Sequence, residues 1–424
     1  MLGGPQCWVD RSAGSPSPRT QYPGGTIASV TRNLQPLPVP TGPEVLRLLP
    51  ALAAALDGAG PAWLPVPEGD ERETTRLTSA LAAGRPVDDE TALVLATSGS
   101  TGTPKGALLS AAALTASGRA THARLAGNGS WLLALPAQHV AGMQVLLRSV
   151  LAGTEPVVLD LSHGFDPAAL EADVAAMSSG RRYTSLVPTQ LVRALEHPGA
   201  CAALASVDAL LLGGAPAPPA LHARARAAGI PVVRTYGMSE TCGGCVYDGV
   251  PLDGVQVRLE GTRVMLGGPT LAAGYRCRPT HPAWAEPGWF RTDDAGTVDD
   301  GILTVYGRLD EAITTGGLTV VPQVVEAALL THPGVDDCAV LGLPDEQWGQ
   351  RVVAVVVPAG KPPTLDQLRA HVAAELGRAA APHELYLRTA LPRRGPGKVD
   401  RRGLREELLA GRHGDLQEEG SGRS

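Results

Sequence analysis

Short apolar runs alternate with helical patterns through the middle of the chain. The runs at Trp131–Leu135, Tyr183–Val187 and Val207–Leu212 have strand length, and amphipathic or alanine-rich segments separate them. This alternation predicts an α/β fold with a doubly wound, mostly parallel sheet. Ligands of such sheets bind beyond the carboxyl ends of the strands. Further strands are predicted at Leu93–Ala96, Pro156–Leu161 and Val232–Tyr236, and helices at Leu108–Leu125, Val140–Leu151, Pro167–Met177, Thr189–Glu196 and Pro218–Ala228.

The pattern changes after about residue 250. Apolar runs now follow one another closely, and Asp299-Asp300-Gly301 is a tight-turn signal, so residues 252–308 are predicted to form a small antiparallel section. A compact α+β segment follows Asp310. It is predicted to hold a loop at Ile313–Gly317, helices at Pro322–Leu330, Leu365–Leu376 and after Val399, and strands at Cys338–Leu343, Val352–Val357 and Glu384–Arg388.

These patterns predict a large domain over residues 34–309 and a small C-terminal domain over 310–412. Residues 1–33 are rich in Gly, Pro, Ser and Thr, which is typical of a disordered extension. The polar segment 413–424 is predicted to be a frayed tail.

Composition excludes several classes of function. The 424 residues carry 36 Lys and Arg against 42 Asp and Glu, and this net charge of −6 argues against a general nucleic-acid binder. No apolar run is long enough to span a membrane, and the N-terminus has no apolar signal core. The six cysteines show no disulfide-like spacing. We therefore expect a cytoplasmic protein with small-molecule partners and no nucleic-acid or membrane partner.

A Gly/Ser/Thr-rich loop follows the apolar run at residues 93–96. The loop reads TSGSTGTPKG, from Thr97 to Gly106. Its backbone N–H groups, hydroxyls and single lysine suit a polyphosphate. It is not a P-loop, because Pro104 precedes Lys105 and Gly106 follows it. A flexible linker is the alternative, but the position between a predicted buried strand and a predicted helix favours a phosphate site.

Lysine is rare in this chain. Only Lys105, Lys361 and Lys398 occur among the 36 basic residues, and Lys105 and Lys398 both lie in Gly/Pro-rich loops. An ammonium is a compact point charge that a guanidinium does not replace. These two lysines are therefore candidate functional cations. Cys242 and Cys245 have C-x-x-C spacing, but a zinc or redox role would need a second ligand pair or a thioredoxin-like context, and the sequence shows neither.

Five motifs occur in order over about residues 90–408. TSGSTGTPKG is followed by YGMSET (Tyr236–Thr241), GWFRTDD (Gly288–Asp294), YGRLD (Tyr306–Asp310) and GPGKVDR (Gly395–Arg401). Together they resemble the adenylate-forming acyl-CoA synthetase superfamily. The stretches LPAQHVAGMQVL, GGCVYDGVPLDGV and TTGGLTVVPQVVE resemble the actinobacterial type of the o-succinylbenzoate–CoA ligase family of menaquinone biosynthesis.

The resemblance implies an acid–thiol ligase that uses ATP, Mg²⁺ and CoA. A large adenylate-forming domain and a small mobile C-terminal lid would convert 2-succinylbenzoate to its CoA thioester through an acyl-adenylate, releasing AMP and pyrophosphate. Lys398 matches the catalytic lysine, whose ammonium would bridge the attacking carboxylate and the α-phosphate. Glu240 matches the Mg²⁺ ligand. The implied nucleotide-binding residues are Thr97, Ser98, Gly99, Ser100, Thr101, Gly102, Thr103, Lys105, Gly213, Gly214, Ala215, Pro216, Tyr236, Gly237, Met238, Ser239 and Thr241.

Two further motif residues are implied to bind the nucleotide. Asp294 matches the carboxylate that accepts from the ribose hydroxyls, and Arg308 matches a ribose and phosphate contact. The residue before that carboxylate is usually glycine in the family and is Asp293 here. The position of the motif favours Asp294, and Asp293 remains the alternative. A plain turn aspartate is the other interpretation.

The second half-reaction is implied to use a domain rotation. Asp310 matches the hinge, and Gly316-Gly317 matches a loop that lines the pantetheine tunnel; a simple turn is the alternative for this glycine pair. His139, after Gln138, lies where the family places a gate near the substrate carboxylate. The second carboxylate of 2-succinylbenzoate needs donors, for which Gln138, Thr189, Ser239 and backbone N–H groups remain unranked candidates.

Other functions stay open at this stage. The chain could activate another aryl or acyl acid, or it could be a stand-alone adenylation enzyme that loads a carrier protein. A nucleotide-binding regulator without catalysis is disfavoured, because both Lys398 and Glu240 are present. The oligomeric state is also left open, with a homodimer among the candidates.

Overall fold

The computed structural model describes residues 32–97, 104–394 and 398–410, with Arg394 and Lys398 described as backbone only. The centre of the glycine-rich motif TSGSTGTPKG, residues 98–103, lies outside the described residues. So do the predicted extension, apart from residues 32 and 33, and the predicted tail. Among the residues described, no helix is long and apolar enough to cross a membrane.

The first part of the chain forms a five-stranded sheet, to which a later segment adds the fifth strand. Its elements are β1 (Leu34–Val39), α1 (Leu49–Leu56), β2 (Ala62–Pro67), α2 (Glu71–Ala80), β3 (Thr91–Thr97) and β4 (Lys105–Ser110), with α3 (Ala111–Arg124) after them. Strands β1, β2 and β3 are parallel, whereas β3 and β4 form an antiparallel hairpin. The glycine-rich motif therefore connects the two strands of this hairpin.

The predicted helix over Leu108–Leu125 is wrong at its start. Lys105–Ser110 is a strand that pairs with β3, with Thr97 opposite Lys105. Helix α3 begins only after Ser110, whose hydroxyl accepts from the Ala113 amide at 3.1 Å. This hydroxyl satisfies one of the unpaired amides of the first turn and fixes the helix start.

The central part of the chain forms a seven-stranded sheet that confirms the doubly wound prediction. The strand order is β11-β10-β9-β8-β7-β5-β6, parallel from β6 to β9, with β10 and β11 added antiparallel. Its elements are β5 (Ser130–Leu133), α4 (Val140–Ala152), β6 (Val157–Val158), α5 (Pro167–Ala176), β7 (Arg182–Leu186), α6 (Pro188–Leu195), α7 (Pro198–Ala205), β8 (Ala209–Leu212), α8 (Pro219–Ala227), β9 (Val232–Met238), β10 (Gly243–Tyr247) and β11 (Val250–Pro251).

Helices cover both faces of this sheet. Leu211 packs in a core that contains Met143 of α4, whereas its neighbours Leu210 and Leu212 pack in a second core with Leu191 of α6. Successive side chains of a strand point to opposite faces. Strands buried on both faces therefore appear as continuous apolar runs, which is the pattern the sequence showed.

The predicted antiparallel section is confirmed. A four-stranded sheet has the order β12-β13-β15-β16, and Asp300 and Gly301 take positive φ angles of 50° and 78° in the turn before β16. The short strand β14 instead pairs with β4 and completes the first sheet. The elements are β12 (Gln256–Glu260), β13 (Arg263–Gly267), β14 (Tyr275–Arg276), β15 (Trp289–Asp299) and β16 (Ile302–Arg308).

The remaining chain builds the α+β segment. Its elements are β17 (Ile313–Thr315), β18 (Leu318–Val320), α9 (Pro322–Leu329), β19 (Val335–Asp345), β20 (Gly349–Pro358), α10 (Leu365–Leu376), β21 (Glu384–Leu387), β22 (Arg393–Arg394), β23 (Lys398–Val399) and α11 (Arg401–Ala410). The predicted loop at Ile313–Gly317 is corrected to a hairpin, in which Gly316 and Gly317 form the turn between β17 and β18 with φ angles of 56° and 79°. Two consecutive positive φ angles define a turn that matches the twist of a hairpin, and glycine adopts them without strain.

Candidate functional site

Strands β9, β15 and β16 bring together Tyr236, Asp294 and Arg308. Asp294 and Arg308 lie opposite each other in the antiparallel β15–β16 pair. The Tyr236 hydroxyl donates to Asp294 Oδ2 at 2.7 Å. Burial raises the pKa of the Asp294 carboxyl, and the Tyr236 hydroxyl and the Arg308 charge oppose that rise. The result is a mostly buried carboxylate that is oriented by a phenol and balanced by a guanidinium.

Arg308 is shared among three carboxylates. Its Nε and Nη2 each donate to Asp310 at 2.7 Å, and its guanidinium also lies 3.6 Å from Asp293 Oδ2 and 3.7 Å from Asp294 Oδ1. Burial alone would lower the pKa of Arg308, but these carboxylates outweigh it and raise the pKa. The guanidinium therefore links the predicted ribose carboxylate to the predicted hinge residue.

The two candidate ribose aspartates differ in exposure. The Asp293 side chain is 49 % exposed and pairs with Arg263 at 3.1 Å, whereas the Asp294 side chain is 11 % exposed. A buried carboxylate held by Tyr236 has the fixed orientation that recognition of a diol requires. The geometry therefore favours Asp294 over Asp293.

A second cluster contains Glu240, Tyr275 and Lys105. Glu240 is buried in the short 3-10 helix Ser239–Thr241, and its Oε1 accepts from the Tyr275 hydroxyl at 2.6 Å. Lys105 Nζ lies 5.3 Å from the centre of the Tyr275 ring. Burial raises the pKa of Glu240, while the Tyr275 hydroxyl and the charges of Lys105 and Arg308 lower it. Tyr275 belongs to none of the five motifs, so sequence reasoning missed it.

The chain after Tyr236 is held by close backbone packing. A Cβ at Gly237 would overlap the Gly243 carbonyl of the neighbouring strand, so only glycine fits there. The Thr241 hydroxyl accepts from the Met238 amide at 3.0 Å and contacts the Gly243 carbonyl at 2.7 Å. The Tyr236–Thr241 motif is thus the end of strand β9 followed by the 3-10 helix, and it presents Glu240.

Gly213–Pro216, which the resemblance implied to bind the nucleotide, form a loop that follows β8. Gly213 packs so closely on Thr235 that a Cβ would overlap the threonine hydroxyl, and Gly214 has a φ of 81°. Because Thr235 directly precedes Tyr236, this loop is brought beside another residue that the resemblance implied to bind the nucleotide. Ala215 is partly buried and Pro216 is exposed.

His139 precedes helix α4 and is exposed, and Gln138 beside it is partly buried. One turn into the helix, Gln144 Nε2 donates to the Cys242 carbonyl at 2.7 Å. This contact ties α4 to the residue that directly follows Thr241. The helix that begins at His139 therefore packs beside the end of the Tyr236–Thr241 segment.

Arg148 is a buried cation that the sequence analysis missed. It is 3 % exposed, and its Cζ lies 5.1 Å from the centre of the Trp131 ring. Its Nη2 donates to the Tyr247 hydroxyl at 3.4 Å. It forms no ion pair with any carboxylate of the described residues, and its Nε has no partner there. Burial lowers its pKa. A lone arginine in the apolar helix VAGMQVLLRSVLA was the signal that could have identified it.

The Gly316-Gly317 turn packs on an exposed aromatic residue. The Gly316 amide donates to the Trp348 carbonyl at 3.0 Å, and a Cβ at Gly316 would lie 2.9 Å from the Trp348 ring. Trp348 is 41 % exposed, and its ring centre lies 5.9 Å from that of His383. An apolar surface thus adjoins the turn.

Lys398 lies on the hairpin of β22 and β23, with its backbone opposite Arg394. Three residues later, Arg401 donates to both oxygens of Glu326 on α9 at 2.7 Å and lies 3.5 Å from Glu311. Burial raises the pKa of Glu326, and the Arg401 charge lowers it. This buried ion pair fixes the start of α11 and therefore the end of the β22–β23 hairpin that carries Lys398.

Cys242 and Cys245 are buried free thiols. Burial raises the pKa of both, that of Cys245 to about 12, so both stay protonated at neutral pH. A protonated thiol is a poor metal ligand and nucleophile. Within the described ranges, no group of three or more His, Cys, Asp or Glu side chains could hold a metal ion.

Comparisons with known proteins place the chain in a family. Residues 44–271 match the model of the AMP-binding enzyme family, and residues 324–398 match the AMP-binding enzyme C-terminal domain. A probable 2-succinylbenzoate–CoA ligase of Mycobacterium tuberculosis (strain H37Rv) is 58 % identical over 377 residues, which is 88 % of this chain and 97 % of the relative. A 2-succinylbenzoate–CoA ligase of Geobacillus kaustophilus is 33 % identical over 388 residues, or 84 % of this chain and 76 % of the relative.

Solved structures agree with this assignment. The o-succinylbenzoate CoA synthetase MenE of Bacillus subtilis, in complex with its acyl-adenylate intermediate, has a TM-score of 0.72 at 25 % identity, covering 92 % of this chain and 90 % of that chain. ATP-bound MatB from Rhodopseudomonas palustris has a TM-score of 0.77 at 24 % identity, covering 90 % of each chain, and supports the fold. The resemblance that the motifs indicated is thus confirmed: the chain belongs to the AMP-binding enzyme family.

Proposed function

We propose that the chain is an ATP-dependent acid–thiol ligase that converts 2-succinylbenzoate to 2-succinylbenzoyl-CoA through an acyl-adenylate, releasing AMP and pyrophosphate. The observation that carries the proposal is the 58 % identity over 97 % of a relative's length. The match extends over both the large and the small parts of the chain. Because ATP and CoA are cytosolic metabolites, we also propose a cytoplasmic location.

The nucleotide would lie along the ends of β3, β9, β15 and β16. Thr97–Thr103 and Lys105 would hold the β- and γ-phosphates, since the motif lies in the β3–β4 hairpin and Lys105 begins β4. Asp294 would accept from the ribose hydroxyls, with Arg308 as the cation beside it. The Gly213–Pro216 loop and Tyr236 would contact the adenine. The following residues would line the same side of the nucleotide site: Gly237, Met238, Ser239 and Thr241.

Glu240 is the proposed Mg²⁺ ligand. The donors present fit this ion, because Mg²⁺ binds through one or two carboxylates together with waters and phosphate oxygens and needs no all-protein cage. Glu240 is buried, and one of its oxygens is fixed by Tyr275. When bound, the ion would neutralise charge on the phosphates. The work of the chain is to hold this carboxylate at the Tyr275 hydroxyl and the Lys105 ammonium over the face of the same ring.

Lys398 is the proposed catalytic cation of adenylation. Transfer of the acid to the α-phosphate needs little covalent help from the protein, so positioning and charge stabilisation dominate. An ammonium between the attacking carboxylate and the α-phosphate would stabilise the charge that develops in the transition state. The Arg401–Glu326 ion pair supports this role because it anchors the chain three residues after the lysine.

The thioester step would use the other face of the small domain. We propose that Asp310 is the hinge and that Gly316-Gly317 lines the passage of the pantetheine chain. The missing side chain at Gly317, where a Cβ would meet no other atom, permits close approach of a ligand, and Trp348, packed on Gly316, supplies an apolar surface beside it. His139, at the start of α4, remains the proposed gate near the reacting carboxylate.

Arg148 is the proposed partner of the second substrate carboxylate. A buried guanidinium without a carboxylate carries a large desolvation cost that an anionic ligand would offset. Arg148 lies one turn beyond Gln144, and Gln144 Oε1 is also buried without a partner among the described residues. Both side chains lie on the face of α4 that packs near Cys242 and Tyr247.

A test of the ribose assignment compares two neighbouring carboxylates. We expect Asp294→Ala to lower the preference for ATP over 2′,3′-dideoxy-ATP by about 10- to 100-fold, because charged hydrogen bonds of this kind contribute about 1.5–3 kcal/mol. The measurement is kcat/KM for each nucleotide at saturating acid and CoA. The matched variant Asp293→Ala should change that preference less than threefold. A larger loss in Asp293→Ala than in Asp294→Ala would reverse the assignment.

The experiment that tests the proposed function measures AMP formation on a panel of acids. Purified protein is given ATP and Mg²⁺ with 2-succinylbenzoate, benzoate, salicylate or a medium-chain fatty acid, each with and without CoA. We expect CoA-dependent turnover that is selective for 2-succinylbenzoate. Faster turnover of another acid would contradict the substrate assignment, and adenylation without any effect of CoA would point to a carrier-protein acceptor instead.

A further inference from the structure

Tyr275 touches two of the proposed nucleotide-site residues from a part of the chain outside the five motifs. It lies on β14, which pairs with β4 so that Tyr275 is opposite Ala107 and Arg276 is opposite Gly106. This register places the Tyr275 ring beside Lys105, the first residue of β4. The Lys105 ammonium lies over the ring at 5.3 Å, a distance within which a cation and an aromatic face attract each other.

The hydroxyl of the same ring holds Glu240. It donates to Glu240 Oε1 at 2.6 Å in a buried setting. The main chain reinforces this contact, because the Ala272 amide donates to the Glu240 carbonyl at 2.8 Å. Segment 272–275 therefore fixes both the backbone and the carboxylate of Glu240. A carboxylate with one oxygen fixed by a neutral donor keeps its other oxygen for a cation.

The Tyr275 ring is itself immobilised. His281 and Trp284 contact it edge-on, with ring centres at 4.8 Å and 5.7 Å. The next residue, Arg276, donates to the carbonyls of Leu81 at 3.2 Å and Pro86 at 2.6 Å, which clamps β14 onto the end of α2. A tyrosine side chain immobilised by its neighbours can hold the Glu240 carboxylate in a single orientation.

We propose that Tyr275 is a positioning residue for the metal–triphosphate group: its hydroxyl orients the Glu240 carboxylate, while its ring face holds the Lys105 ammonium. The proposal rests on the proposed roles of Glu240 and Lys105 and extends them. Its physical basis is that outer partners of metal ligands fix the orientation of those ligands, and that their loss typically weakens metal binding 10- to 100-fold.

Two substitutions separate the two contacts. Tyr275→Phe removes the hydroxyl and keeps the ring under Lys105, whereas Tyr275→Leu removes both contacts. The matched control is Tyr183→Phe. Tyr183 is a fully buried tyrosine whose hydroxyl donates to the Leu125 carbonyl at 2.8 Å, outside the proposed site. Any effect of losing one buried tyrosine hydroxyl on general stability should appear in that control as well.

The readout is binding without turnover. Mn²⁺ affinity in the presence of ATP and absence of acid is measured by electron paramagnetic resonance, and ATP affinity at saturating Mg²⁺ by calorimetry. We expect Tyr275→Phe to bind Mn²⁺ about 10-fold more weakly, with ATP affinity at saturating Mg²⁺ near that of the unsubstituted protein. Tyr275→Leu should weaken both. Mn²⁺ affinity in Tyr275→Phe equal to that in Tyr183→Phe would overturn the proposal.

A double-substitution cycle shows through which residue Tyr275 acts. If it acts through Glu240, then Tyr275→Phe combined with Glu240→Gln should bind Mn²⁺ no more weakly than Glu240→Gln alone. Additive losses would overturn the positioning role. If Glu240→Gln by itself leaves Mn²⁺ binding unchanged, the proposed role of Glu240 fails and the role of Tyr275 fails with it. If Glu240→Gln weakens binding and Tyr275→Phe does not, only the present inference fails.

Discussion

Lys398→Ala is expected to slow acyl-adenylate formation by about 10²- to 10³-fold, the usual effect of removing one group that stabilises transition-state charge. The thioester step should change less than threefold, because in that step the thiol attacks an adenylate that is already formed. The two half-reactions are measured separately. Pyrophosphate release from ATP and acid reports adenylation, and acyl-CoA formation from supplied acyl-adenylate reports thioesterification.

Lys361→Ala is the matched control. Lys361 is an exposed lysine in the loop between β20 and α10, so its loss removes the same charge from the same domain. It should leave both half-reactions unchanged. Equal losses in both half-reactions of Lys398→Ala, with the fold intact by circular dichroism, would contradict the assignment of Lys398.

The second large effect is expected at Arg148. Arg148→Met should lower kcat/KM for 2-succinylbenzoate by about 10²-fold or more, since truncating one partner of a buried charge pair costs about 2–5 kcal/mol. For benzoate, which lacks the second carboxylate, kcat/KM should change only a few-fold. The thermal midpoint should hold or rise, because replacing an uncompensated buried charge with an apolar side chain of similar volume is often stabilising.

The control for this prediction is Arg193→Met. Arg193 is an exposed arginine on α6 that stacks on Phe165 at 5.6 Å, so the same substitution is made outside the proposed acyl site. Selectivity between the two acids should be unchanged in this variant. If Arg148→Met slows turnover of benzoate and 2-succinylbenzoate to the same extent, Arg148 does not recognise the second carboxylate.

Arg308 connects the proposed ribose carboxylate to the proposed hinge residue through contacts that the motifs alone do not describe. The same guanidinium holds Asp310 through two hydrogen bonds and lies within ion-pair distance of Asp294. The Arg308 amide also donates to Gln323 Oε1 of α9 at 3.3 Å. The chain on both sides of Asp310 is therefore held by one residue of the proposed ribose site.

Much of the architecture was predictable because strands buried on both faces produce unbroken apolar runs. The runs around Tyr183 and Leu211 gave the parallel sheet directly. The β4 strand was predicted as helix because GALLSAAALTASG is rich in alanine and leucine over its whole length, and only pairing with β3 distinguishes its first part from the helix. The motif containing Asp293 and Asp294 favoured Asp294 by position alone, and the lower exposure of its side chain adds a second argument for the proposed ribose role.

Sequence reasoning missed Tyr275 and Arg148, because their proposed roles depend on contacts between residues that are distant along the chain. Tyr275 is 35 positions from Glu240 along the chain, and the pairing of β14 with β4 brings the two together. Arg148 is marked in the sequence only as a lone arginine in an apolar helix, and its burial depends on how that helix packs. The contact between Tyr275 and Glu240 has no local signature, since it depends on which strands become neighbours.

The most direct test of the account is a rapid-quench experiment without CoA. Enzyme in excess is mixed with ATP, Mg²⁺ and 2-succinylbenzoate, and the products are separated before and after CoA is added. We expect one equivalent each of enzyme-bound acyl-adenylate and pyrophosphate per limiting ATP before CoA is added, followed by conversion of the adenylate to acyl-CoA and AMP. Pyrophosphate and AMP that appear only after CoA is added, with no adenylate beforehand, would contradict it.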